Sequence, residues 1–88
     1  MNKYLVEYLG SLFFMYIILA TKNALAIGAA LAVAIILGGD ISGGMYNPMV
    51  AVVMLVKGVL ARSDFIPYIL AQIAGGLTAY ELFKHIKL

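Results

Sequence analysis

Cysteine is absent from this 88-residue chain, and charge is scarce: Asp, Glu, Lys and Arg together make up 11% of it. Without a thiol there is no disulfide, no thiolate nucleophile and no thiolate metal site, and the redox compartment stays open. One histidine, with carboxylates scattered at Glu7, Asp40, Asp64 and Glu81, builds neither a catalytic triad nor a recognisable metal site. Six Lys and Arg, for a net charge of +2, are too few and too dispersed to form a nucleic-acid surface. The stretches Gly38-Gly39-Asp40 and Ser42-Gly43-Gly44 lack the Lys-Ser/Thr of a phosphate loop. Nothing here calls for an enzyme, a metal or a cofactor.

What the chain does have is hydrocarbon: 65% of its residues are hydrophobic and the mean hydropathy is +1.05. A soluble domain of this length buries only roughly 60% of the surface its unfolded chain exposes, too little to hide so much apolar area from water. Lipid requires no such hiding. The composition therefore predicts one small integral, multi-pass membrane domain over residues 1–88, with the bilayer as its first partner.

Tyr4 to Ala20 is an almost unbroken apolar run of about the minimum length for a ~30 Å hydrocarbon core. Lys3 ahead of it imitates a signal peptide, but Glu7 interrupts the apolar region and removal would leave the next span without a hairpin partner. Thr21, Lys22 and Asn23 make a polar turn, and Ala24 to Leu37, stretched at its ends by Asn23 and Gly38, supplies a second, alanine-rich span. After a polar break at Lys57 to Asp64, a third span runs from Phe65 to about Phe83, with Ser63 or Asp64 as its cap and Pro67 in its first turn.

Between the second and third spans stands GGDISGGMYNPMVAVVMLVKG, residues 38–58. Asn47 suits a helix N-cap, Pro48 the first helical position and Gly58 a stop, so a helix of about ten residues is expected here. At ~1.5 Å per residue it reaches ~15 Å, half the hydrocarbon thickness. Gly39 to Met45 reads as extended backbone, which lipid tolerates only where protein or a water-filled cavity covers it. These features predict a re-entrant loop whose half-helix starts near the midplane and points its positive dipole end there. An interfacial amphipathic helix is the alternative, but Met49 to Val56 has no polar face. Small residues at four-residue spacing, Ala26-Ala30-Ala34-Gly38 and Ala71-Gly75-Ala79, favour close helix packing, and Gly10 and Ser11 do the same in the first span.

Glu7-Tyr8-Leu9-Gly10-Ser11-Leu12-Phe13, Ile41-Ser42-Gly43-Gly44-Met45-Tyr46-Asn47-Pro48-Met49-Val50 and Tyr68-Ile69-Leu70-Ala71-Gln72-Ile73-Ala74-Gly75-Gly76 together resemble one half of an aquaporin or glycerol facilitator. The central stretch is similar to that family's Ser-Gly-x-His-x-Asn-Pro-Ala-Val, with Met45 where the family often has His and Met49 in place of the alanine. The resemblance implies an all-α membrane fold of three transmembrane helices plus one re-entrant Asn-Pro half-helix. It also implies that Gly43, Gly44, Met45, Asn47, Pro48, Met49 and Val50 line or select at a pore, and that Glu7 and Gln72 brace the re-entrant loop. Val50 stands where the family's second half commonly carries an arginine, so the resemblance implies weak selectivity among neutral solutes.

Pores of that family contain two such halves in inverted orientation, so the completion expected here is an antiparallel homodimer, with four dimers, eight chains, by analogy with the family's tetramers. The basic residues divide evenly: a three-span chain puts Lys3, Lys57 and Arg62 on one face and Lys22, Lys84 and Lys87 on the other. Such balance gives no instruction about orientation, which dual topology requires. His85, in the basic tail Lys84-His85-Ile86-Lys87, belongs in solvent or among head groups. Three functions compete: a passive channel for water or small neutral solutes, a dual-topology proton-coupled exporter using Glu7 as its exchanging carboxylate, and a non-conducting structural protein that keeps only the packing motif.

Overall fold

Asn2 starts the first helix by accepting from the backbone N–H groups of Tyr4 and Leu5, and α1 then runs Lys3–Ala20. In the computed structural model, which describes residues 1–86, it is followed by α2 (Ala24–Ser42), α3 (Pro48–Lys57) and α4 (Arg62–His85). Lys87, counted above among the basic residues, lies outside the described residues. Two of these helices, α1 and α2, are long and apolar enough to cross a membrane; α4, at 24 residues, is longer but more polar.

The side-chain pairings set the directions. Lys3 pairs with Asp64 at one end of the molecule, Tyr8 donates to Thr78 in the middle, and Tyr16 donates to the Ile86 carbonyl at the other end, so α1 and α4 run parallel. Helix α2 folds back on α1 across the turn Thr21–Asn23, and α3 packs on α4 alone. Small residues make the approaches close. A Cβ on Gly75 would collide with the Tyr8 carbonyl and crowd the Leu12 amide at 3.1 Å, so α1 and α4 touch backbone to backbone there. Ala30, Ala34 and Gly38 of the α2 stripe are buried, as are Gly75 and Ala79 on α4, whereas Ala26 is exposed.

Helix α2 does not stop at Leu37 or Gly38. It continues through Gly38, Gly39, Asp40 and Ile41 to Ser42, so Gly39–Met45 is not an extended segment, and the non-helical stretch is the shorter 43–47. Two glycines and an aspartate weaken a helix locally, but here Gly38 is packed against Val6 and Tyr46 and tertiary contact overrides propensity. Gly43, at φ +91° in the left-handed region, ends the helix. Helix α4 also differs from expectation. It begins at Arg62 with Ala61 as an N-cap that makes no side-chain bond, so Ser63 and Asp64 lie inside it and Pro67 falls in its second turn. Asp64 is drawn away from capping by better partners: it accepts from Lys3 Nζ at 2.8 Å and from the Tyr4 hydroxyl at 2.6 Å. The acidic side chain still favours the positive end of the helix dipole.

Candidate functional site: a buried carboxylate and the half-helix it holds

Glu7, one turn into α1, is completely buried. Among the described residues it has no ion pair, and Lys3 Nζ, one turn away, is committed to Asp64. An unpaired buried carboxylate is costly unless hydrogen bonds replace its water, and four do. Oε2 accepts from Ser42 Oγ at 2.7 Å and from the Met45 amide at 3.2 Å. Oε1 accepts from the Tyr46 amide at 2.8 Å and from Gln72 Nε2 at 2.9 Å. The donors come from the end of α2, from the 43–47 segment and from α4, so one side chain of α1 ties every other part of the fold to the segment preceding α3. Charge-assisted bonds are about twice as strong as neutral ones, and here they hold backbone amides that have no helical partner.

The geometry of the segment follows from these ties. Gly44 (φ +64°) and Tyr46 (φ +55°) join Gly43 in the left-handed region, which lets successive amides turn toward Glu7. Tyr46 is the exception, because a bulky residue at positive φ is strained by about 1–3 kcal/mol. Its ring offsets that strain by filling a notch between α1 and α2: a Cβ on Gly10 would collide with the ring and one on Gly38 with the hydroxyl. That hydroxyl donates to the Ala34 carbonyl at 2.7 Å. Tyr68 of α4 adds a further tie, donating to the Ser42 carbonyl at 2.6 Å.

The segment delivers the start of α3. Asn47, extended at φ −156°, caps it through Oδ1, which accepts from the Met49 amide at 2.8 Å, and Pro48 occupies the first turn. Gly58 stops the helix in the left-handed conformation after ten residues. The tip formed by Tyr46, Asn47 and Pro48 floors an open groove of about 540 Å³ between the later halves of α1 and α4, where Ser11 and Gln72 also line the wall. Ser11 Oγ and Gln72 Oε1 are buried there without a hydrogen-bond partner.

The structure distributes the expected site residues unevenly. Glu7, Gln72 and the backbone of Met45 meet in one hydrogen-bond cluster, and Asn47 and Pro48 stand at the tip of α3. Met49 is open, 66% exposed. The Met45 side chain instead joins Ala51, Leu60 and Tyr68 in the α3–α4 core, with Val50 packed against it. Gly43 and Gly44 shape the turn. Sequence reasoning missed Tyr46, Ser42 and Tyr68; the two glycines facing each other across α1 and α2 were the available signal for a ring lodged between them.

Residues 1–87 match the sequence profile described as Major intrinsic protein, and the chain belongs to that family of membrane channels. It is 39% identical to glycerol uptake facilitator protein-like 6 of Lactiplantibacillus plantarum, over 96% of this chain and 43% of that protein. It is 40% identical to aquaporin-8 of Notomys alexis, over 90% of this chain and 34% of that one, and 38% identical to an aquaglyceroporin of Rhizobium meliloti, over 68% and 26%. The chain thus spans less than half the length of these relatives. No solved structure matches it.

Proposed function

We propose that this chain is a single domain forming half of a passive pore for water or small neutral solutes, completed by a second copy in inverted orientation. Three helices, α1, α2 and α4, cross the bilayer in this reading, and the 43–47 segment with α3 is re-entrant. The observation that carries it is the clamp on Glu7: every hydrogen bond it accepts from outside α4 fixes the turn that sets the tip of α3 beside the middle of α1. Backbone of that kind at membrane depth is found where it faces protein or a water-filled path. Two half-helices of ~15 Å meeting tip to tip make up one ~30 Å hydrocarbon thickness. Asn47, Pro48, Met49 and Val50, with the backbone of Gly43, Gly44 and Met45, are the residues assigned to the pore; Glu7 and Gln72 support the loop. Four pairs, eight chains, form the assembly.

The same clamp counts against the exporter. A proton-exchanging carboxylate must reach water and its cargo, whereas Glu7 is wholly buried with both oxygens doubly occupied. The test is osmotic: liposomes containing only the purified chain are mixed with water, glycerol or urea gradients in a stopped-flow apparatus. A pore predicts faster volume change than empty liposomes, independent of any proton gradient. Background rates for every solute mean either a non-conducting structural protein or a second half supplied by another polypeptide.

A further inference from the structure

Tyr46 is held at both ends. Its amide donates to Glu7 Oε1 of α1 at 2.8 Å, and its hydroxyl donates to the Ala34 carbonyl of α2 at 2.7 Å. Gly38 leaves the hydroxyl its path, because a Cβ there would collide with it, and Gly10 does the same for the ring. Beyond residue 46 such ties end. Among the described residues the Asn47 side chain bonds only the Met49 amide of its own helix, and α3 packs on α4 alone. Tyr46 is therefore the last hydrogen-bonded link between the half-helix tip and the α1–α2 pair. A segment fixed by its amides alone can still turn about them, and a second tie at the far end of a rigid ring removes that freedom.

Packing does not supply the same restraint. Tyr46 is the one residue common to two grooves, that of about 540 Å³ between α1 and α4 and one of about 460 Å³ between α1 and α2, where Leu9, Phe13, Ala34 and Leu37 also line the wall. Space on two sides leaves the tip room to shift once the hydroxyl lets go, unlike a side chain in a close-packed interior. The backbone favours such a shift, since a bulky residue at φ +55° relaxes when released.

We propose that Tyr46 is the positioning residue of the half-helix: its hydroxyl bond to α2 sets where Asn47 stands, and so the size of solute that passes the tip. The part concerning solutes rests on the pore reading above; the positioning does not.

Tyr46→Phe removes the hydroxyl and keeps the ring in its notch. Hydrogen–deuterium exchange of the purified protein, read at residues 45–51, should quicken about fivefold, the scale of one neutral hydrogen bond, while α1 and α4 keep the parent's rates. Tyr46→Leu, which loses hydroxyl and ring together, should exchange at least as fast. In liposomes the glycerol-to-water rate ratio of Tyr46→Phe should rise about threefold as the aperture loosens. A merely structural loss lowers both rates together and leaves the ratio where it was. Unchanged exchange in both variants would overturn the positioning role. Faster exchange with an unchanged ratio would overturn the link to solute size. Background flux in the parent would overturn the pore reading and the link to solutes with it, while exchange still decides the tie.

Discussion

Glu7 is the residue on which the 43–47 segment depends most, and the dependence is chemical rather than steric. Its four donors need an acceptor with two charged oxygens. Glu7→Gln keeps the shape but turns one of those oxygens into an amide that faces donors with donors. The loss should be about 3 kcal/mol, the scale for leaving buried polar groups unsatisfied, read as a lower midpoint in denaturant titration of the detergent-solubilised protein. Tyr46 gives a second test at this scale. Gly10→Ala puts a methyl into the Tyr46 ring, for which overpacking costs of about 1–3 kcal/mol are expected, and adding Tyr46→Leu should recover part of that loss. Gly76→Ala, with nothing within 4 Å of the new methyl, serves as the control and should not destabilise. A Gly10→Ala variant as stable as the parent would mean that the ring does not occupy the notch.

At the scale of the element, α3 is where local chemistry and sequence agree. Asn47, Pro48 and Gly58 mark its start and stop because a cap, a fixed φ and a left-handed residue act through nearest neighbours. The end of α2 was not legible for the opposite reason: Gly38-Gly39 reads as a breaker until Tyr46 and Val6 are seen packed against it. Ser63 and Asp64 looked like caps, but Lys3 and Tyr4, some sixty residues away, claim the Asp64 carboxylate. Likewise, no spacing relates position 7 to 42, 45 and 72; only the resemblance to a family drew attention to Glu7 and Gln72 together. The element-scale prediction concerns the tip. Asn47→Asp preserves the capping oxygen, yet in an inverted pair it sets two carboxylates near the membrane midplane, where charge is expensive. Assembly or flux should be lost, whereas the single-chain helix content by circular dichroism should hold. Full flux in Asn47→Asp would mean that the two tips do not meet.

For the whole molecule, orientation is the decisive property. Among the described residues Lys3 and Arg62 stand where α1 and α4 begin, Lys57 ends α3 a short loop before Arg62, and Lys22 and Lys84 stand where α1 and α4 end. Adding two lysines to one face, at Asn2 and Val59, should therefore tip the population to a single orientation and abolish flux through the chain alone, measured by stopped-flow light scattering. The claim that one chain supplies both halves of a pore is tested most directly by single-cysteine labelling of the otherwise unaltered protein. Val59→Cys and Ile86→Cys, exposed and uncharged positions near opposite ends of the molecule, are each reacted with a membrane-impermeant maleimide before and after the bilayer is opened. About half of the molecules of each variant should react from outside, as a two-fold axis in the membrane plane requires. Complete labelling of one position from outside with none of the other would contradict it.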